Sequence, residues 1–548
     1  MTFSALERDK QIESLQSQVF DLLIIGGGIT GAGIALDASL RGLKIALIEK
    51  EDFAAGTSSR STKLIHGGLR YLKQFEISIV RETGHERAIL YRNAPHIVFP
   101  EKMLLPIIEG GSLGKYSTSF GLYVYDHLAG VKKSERRHML NKADTLKQEP
   151  LLREDILLGS GLYMEYRSDD ARLVIEVLKT AHEHGALSIN YVKAEQLLYE
   201  NGQVIGASVE DVRTNQKFLI KAKKVVSAAG PWVDELRKAD NSLKDKRLHL
   251  TKGVHIVVPK ERVPLREAVY FDVPKDGRMV FAIPRQNIVY IGTTDTNYQG
   301  DINQIYAEKE DVDYILAAAN YIFPSINLSI EDVQSSWAGV RPLIHEDGKS
   351  PEELSRKDEI FISESGLITI AGGKLTGYRK MAERTVDVAM KQLEKEYQIP
   401  FVKSSTESVT LAGGHLPGEH TISDYKGRLE RTYIDYNPKD LDILAERYGS
   451  NTGEILERSK NYPFHEHALL KAEVDYSIEH EMCQNISDFI IRRTGRLYFE
   501  RPTIEEIYPI VQEHIVEKLQ TPEAIADIEL QTFEQAYQAV IGFKSIEA

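Results

Sequence analysis

Three glycines and one acid raise the first chemical expectation. In the run DLLIIGGGITGAGIALDASLRGLKIALIEK, residues 21–50, Gly26, Gly28 and Gly31 stand at the spacing GxGxxG and Glu49 closes the run. Gly26 permits a tight turn, Gly28 lets the backbone approach a pyrophosphate, and Gly31 lets a helix pack closely on a strand. The N-terminus of that helix then faces the negative phosphates. Glu49 suits an adenosine ribose hydroxyl, and its charge disfavours a 2′-phosphate. Soon afterwards STKLIHGGLRYL, residues 61–72, crowds His66, Arg70 and Tyr71 into one short segment. A dinucleotide socket alone does not call for that cluster.

The glycines work only if regular elements position them. Residues 20–25 form an apolar run that reads as a buried parallel strand, residues 30–41 carry small and apolar residues at helical spacing, and residues 43–48 read as a second strand. Two later strands end in similar turns: KKVVSA before Ala229, Gly230, Pro231 and Trp232, and LITI before Ala371, Gly372, Gly373 and Lys374. A second glycine-rich turn far downstream suits an extended cofactor such as FAD, whose ring end must be held by something other than the first turn. Two nicotinamide-type halves would repeat the first motif, and it occurs once. YVKAEQLLYENGQVIGASVED reads as strand, Asn201-Gly202 turn, strand. Between Gly253 and Thr294, HIVVP, RMVFAIP and NIVYIGTTD alternate with Pro and Gly turns, which suits an antiparallel sheet. Beyond residue 395 the pattern becomes charged and helix-favouring.

Composition narrows the class. The chain has 548 residues, 42% hydrophobic and 27% charged, with a net charge of -13. Two or three domains with real cores are expected, and a globally basic nucleic-acid surface is not. Cys483 is the single cysteine. It excludes an intrachain disulfide, a CxxC pair and a cysteine zinc site, and favours a reducing compartment. The opening MTFSALERDKQIESLQSQ lacks the apolar core of a signal peptide, and no run of roughly 18 apolar residues exists to span a bilayer. A cytoplasmic protein is expected.

The segments IIGGGITGAGIALDASLRG, GTSSRSTKLIHGGLRYL, GLYVYDHL, DDARLV, AAGPWVD, KGVHIVVP, IGTTDT, AGVRPL and AGGKLTGYRKMAE, in that order, resemble the FAD-dependent glycerol-3-phosphate dehydrogenases of the respiratory, quinone-linked kind. These belong to the wider group that includes the glycine and D-amino-acid oxidases. The resemblance implies an α/β fold: a Rossmann-like FAD-binding domain interleaved with an antiparallel-sheet substrate domain, and a mostly helical C-terminal domain. Mapped onto this chain, the FAD-binding domain takes residues 1–100, 151–250 and 350–394, the substrate domain 101–150 and 251–349, and the C-terminal domain 395–548. The implied reaction is oxidation of sn-glycerol 3-phosphate to dihydroxyacetone phosphate, with hydride passing from C2 to flavin N5 and electrons on to a membrane quinone.

Such a substrate is a phosphate dianion bearing a secondary alcohol. It needs cationic anchors, an aimed C2 hydrogen and a proton acceptor. Arg70, Tyr71, Arg341 and Lys374 are the expected substrate contacts, since arginine makes paired bonds to phosphate oxygens. Arg341 is also placed to stabilise the developing carbonyl. His66 and His255 are the candidate bases, and His255 is preferred because strand alternation can aim it at the flavin face. Thr57, Ser58, Ser59 and Lys63 are expected to wrap the cofactor, with Val192, Gly230, Gly373 and Thr376 as further cofactor contacts. Asp169, Asp170 and Asp295 read as structural, while Arg41, Lys44 and Arg379 read as surface charges without assignment. Because Cys483 lies outside every cofactor segment, FAD is expected to bind non-covalently.

Quinone reduction calls for a membrane surface. LYVYDHLAGVKKSERRHML, residues 122–140, offers aromatics followed by Lys132, Lys133, Arg136 and Arg137 for anionic headgroups. The plain alternative is a solvated face. A homodimer is also carried as an expectation. The rival chemistries are an oxygen-using glycerol-3-phosphate oxidase, disfavoured because no added segment is evident, an amine or amino-acid oxidase, and an RNA-acting flavoprotein, which the charge disfavours.

Overall fold

The computed structural model describes residues 2–66, 77–111, 114, 121–122, 124, 136–244, 246–345, 357–416, 418–419, 421–463 and 467–547. Two sheets organise it. The first has eight strands. Val19–Ile25 lies parallel between Ile45–Ile48 and Gln216–Ser227, with Leu187–Ile189 and Ile368–Gly372 outside them, also parallel. Every residue of Ile45–Ile48 is buried. The sequence shows why: its apolar residues run on without alternation, as befits a strand covered on both faces. Helices Ile29–Leu40, Asp170–Glu183 and Tyr378–Tyr397 pack together on this sheet. The fit is close, because a methyl group at Gly33 would come within 2.8 Å of the Tyr378 ring.

The expected hairpin forms from Val192–Glu200 and Gln203–Asp211, with Asn201 and Gly202 at φ of 49° and 78°. Those left-handed angles define the turn that matches the natural twist of paired strands.

The second sheet has ten strands, antiparallel except where Ala268–Val273 meets Val98–Ile108. Leu248–Pro259 pairs with Ser335–Ile344 on one side and Ile288–Gly292 on the other. Leu64–Ile65, Val98–Ile108 and Leu157–Ser168 are strands of this second sheet. The ladder pairs Val98 with Ser168 and Leu64 with Arg167, separations that no local pattern announces.

Helices Ile422–Thr432, Pro438–Tyr448, Thr452–Ser459, Ala468–His480, Ile504–Leu519 and Glu523–Ala539 make up the C-terminal region. It docks on the second sheet through Ser335 Oγ, which donates to the Tyr498 carbonyl at 2.6 Å, and Ser336 Oγ, which donates to the Val540 carbonyl at 2.8 Å. The N-terminal helix Arg8–Ser17 is anchored by Arg8, buried against Asp211 at 2.7 Å. Arg41 and Arg379 differ from the sequence expectation of surface charges. Arg41 pairs with Asp37 and Asp387, and Arg379 with Glu86, all at 2.5–2.6 Å and with both arginine side chains buried. Lys44 is exposed, as expected. Removing one partner of such a buried pair costs about 3–5 kcal/mol, because the other charge is left in a dry interior. No helix among the described residues is long and apolar enough to cross a membrane.

Candidate active site

A cavity of about 590 Å³ runs between the two sheets. Its first-sheet end is built at the strand ends. Gly26 has φ of 118°, and a methyl group there would lie 2.5 Å from the Ala228 carbonyl oxygen. At Gly31 the same test gives 1.9 Å to the Gly26 carbonyl oxygen. These two glycines let helix Ile29–Leu40 start hard against the strands, while Gly28, its N-cap, lines the cavity. Ser58 Oγ accepts from the Ile29 N–H at 3.0 Å, and Thr57 Oγ1 donates to the Val340 carbonyl at 2.7 Å. The polar run therefore bridges the helix start and the second sheet.

Glu49 also lines the cavity, its carboxylate accepting from Gly27 N–H at 2.7 Å and Glu51 N–H at 3.0 Å. Burial pushes its carboxyl up to about 7, against the pull of those two donors. Val192, Gly230, Gly373 and Thr376 line the same cavity. Gly230 and Gly373 have φ of 53° and 80°. Ser59 and Lys63 do not line it. Lys63 Nζ is buried between the Ser59 carbonyl at 3.0 Å and Asp170 at 2.5 Å, so this lysine ties the polar run to helix Asp170–Glu183 from behind. Its charge meets a closer, dry carboxylate. Asp169 caps that helix by accepting from Arg172 N–H, in keeping with a structural role.

The cavity also gathers side chains from separate segments. His66, Arg341 and Lys374 all line it. Thr376 binds the His66 main chain twice, its Oγ1 accepting from His66 N–H and donating to His66 O, both at 3.2 Å. That clasp joins the strand Leu64–Ile65 to the turn that carries Lys374. The Phe281 ring meets His66 edge-on at 6.2 Å and stacks on Tyr270 at 4.1 Å. Arg341 donates to Thr293 Oγ1 at 2.9 Å and lies 3.4 Å from Asp295. Its guanidinium rests on Gly253, where a methyl group would come within 2.3 Å of Nη2. Asp295 is thus structural in a specific sense: it orients Arg341.

His255, the preferred candidate base, is set back from the cavity. This ring is 1% exposed and does not line the cavity. It stacks on Trp337 at 4.8 Å, and its Nε2 lies 3.0 Å from Thr62 Oγ1. Burial, then Arg341 and Lys63, hold its pKa well below the usual histidine value. Alternation does turn it to the same side as Gly253, but Trp337, opposite it on the neighbouring strand, covers it. Periodicity gives a side, not a depth. Sequence reasoning missed Gly253, Thr293, Tyr163, Tyr270, Arg278 and Phe281; the alternation of AVYFDV and RMVFAIPR was the available signal for the last three. Arg70, Tyr71, Lys132 and Lys133 lie outside the described residues. Cys483 is buried and does not line the cavity.

The chain fits an extended dinucleotide on its own geometry. A glycine cradle at a helix N-terminus, a backbone-held carboxylate and a distant second glycine turn line one continuous cavity. Residues 21–379 match the FAD dependent oxidoreductase family, and residues 404–524 match the C-terminal domain of alpha-glycerophosphate oxidase. The molecule is therefore an FAD-dependent oxidoreductase. An aerobic glycerol-3-phosphate dehydrogenase of Bacillus subtilis (strain 168) is 51% identical over 95% of both chains. One from Staphylococcus aureus (strain MRSA252) is 52% identical over 91% of both. The solved glycerol-3-phosphate dehydrogenase of Bacillus halodurans, complexed with FAD, is 44% identical over 98% of both chains at a TM-score of 0.84. This chain belongs to the FAD-dependent aerobic glycerol-3-phosphate dehydrogenase family.

Proposed function

We propose that this protein oxidises sn-glycerol 3-phosphate to dihydroxyacetone phosphate and delivers the electrons to a membrane quinone. The observation that carries the reading is that Arg341 and Lys374 line the same cavity as His66, Tyr270 and Phe281. The names of the relatives support the same substrate.

A bound flavin supplies the two-electron acceptor for the hydride leaving C2. The chain's own residues do the rest. Arg341 and Lys374 attract and orient the phosphate dianion, and Asp295 and Thr293 keep the Arg341 fork aimed. His66 takes the hydroxyl proton, and the Thr376 clasp fixes the main chain from which its ring projects. Tyr270 and Phe281 supply an apolar wall. Arg70 and Tyr71 are further substrate contacts in this reading. Glu49 receives the adenosine ribose, and FAD is held without a covalent bond. The quinone implies peripheral contact with the cytoplasmic face of the membrane. A steady-state assay of the flavin-loaded protein with glycerol 3-phosphate tests the whole: dye or quinone-analogue reduction is expected to exceed peroxide formation. No turnover of glycerol 3-phosphate would end the reading, and stoichiometric peroxide would convert it to an oxidase.

A further inference from the structure

Behind the Glu49 end of the cavity stands the C-terminal region. Residues 49–52 and 190–192 form two adjoining plies, joined by Val192 N–H to Glu49 O at 2.8 Å and Tyr191 N–H to Glu51 O at 2.9 Å. Glu49, Glu51 and Val192 face the cavity. The opposite side is gripped by residues 482–493. Arg493 makes a paired contact with the buried Asp52 carboxylate at 2.7 and 2.9 Å, and Arg492 Nε adds a third at 2.5 Å. Asn190 donates to Asp52 at 2.8 Å and to the Met482 carbonyl at 3.0 Å. Tyr191 hydroxyl donates to Asp488 at 2.5 Å and accepts from Asn485 at 2.8 Å. Burial acts to raise the Asp52 carboxyl, and Arg493 and Arg492 more than reverse this, holding it well below the usual carboxylate range. The Asp52 contact with the two arginines therefore stays charged, and the clamp reaches both plies at once.

We propose that Arg492 and Arg493 are positioning residues for FAD: through Asp52 and Tyr191 the C-terminal region sets the wall that receives the adenosine half, without touching the cofactor. This rests on the reading that the Glu49 end takes the adenosine. The helical region is then part of the cofactor site rather than an appendage to the second sheet.

Release of FAD from the full-length flavin-loaded protein, followed by flavin fluorescence, tests it. Arg492→Gln is expected to speed release at least about tenfold, and Arg492→Lys to recover most of that loss. On the flavin-stripped full chain, ADP affinity is expected to fall by a similar factor, since the clamp serves only the adenosine end. Tyr191→Phe, which removes only the bonds to Asp488 and Asn485, is expected to speed release about threefold and serves if the arginine variant does not fold. Arg458→Gln, which breaks pairs with Glu454 and Glu479 in the same region, is expected to stay within about twofold of wild type. Wild-type release from Arg492→Gln and Tyr191→Phe, while Glu49→Ala loses FAD quickly, would overturn the clamp. So would equally fast release from Arg458→Gln. Wild-type release from Glu49→Ala would remove the adenosine reading itself, and the clamp with it.

Discussion

At the Glu49 end of the cavity the main chain does most of the work, and at the His66 end side chains do. The first end comes largely from one contiguous run: Gly26, Gly28, the helix start and Glu49 all lie within thirty residues of each other. Its carboxylate is held by backbone N–H groups. The second end draws His66, Tyr270, Arg341 and Lys374 from four separate stretches. Their aim depends on single supporting contacts such as Gly253 beneath Arg341 and Thr376 against His66. A backbone cradle tolerates side-chain change and recognises a shape common to many substrates' cofactors. A side-chain cluster is specific and is easily disturbed by one misplaced atom.

The contrast can be broken hardest at the histidines. His66→Gln is expected to lower kcat by about 10²-fold or more, within the usual range for a lost general base. His255→Gln, its ring buried on Trp337, is expected to lower thermal stability with kcat within about threefold of wild type. Steady-state kinetics with thermal melts check both, and the reverse ranking would return the role to His255. Arg341→Ala is expected to reduce kcat/KM for glycerol 3-phosphate by about 10²-fold, or about 2.7 kcal/mol, with flavin content unchanged. Gly253→Ala, which would press a methyl group into that guanidinium, is expected to give about a tenfold loss in the same assay. An inert Gly253→Ala would show that Arg341 has slack and that the second end is less exacting than argued.

The Glu49 end predicts a pH effect instead. Its carboxyl is raised from the ordinary 4.5 to about 7 in the folded chain. The folded form binds that proton more tightly, so this group's contribution is fully present below pH 4.5 and is lost as pH rises through 7. Thermal melts of the flavin-free chain are expected to show a declining term across that window, absent in Glu49→Gln. An identical slope in the variant would assign the effect elsewhere. Smallest of all, Gly202→Ala at φ of 78° in the hairpin turn is expected to cost about 1 kcal/mol without changing flavin content or turnover.

Much of the first end was legible because its signals are local. Glycine spacing, a full apolar strand and the Asn201-Gly202 turn each follow from backbone sterics within a few residues. The second end was legible by residue type only. Arg341 and Lys374 are recognisable by type and share a cavity, whereas Lys63 is held by Asp170 and His255 stacks on Trp337. Arg41 and Arg379 look like solvent charges until Asp387 and Glu86 arrive from hundreds of residues away.

By itself the sequence determined that a dinucleotide cradle forms, that an antiparallel sheet follows, and that the last stretch is helical. Those outcomes rest on steric and hydrophobic patterns with periods of a few residues. Only the tertiary structure decided which histidine reaches the cavity, which strands leave the first sheet for the second, and that Arg492 and Arg493 stand behind the Glu49 wall. Depth and partnership arise from packing between segments far apart in the chain, and no local period encodes them.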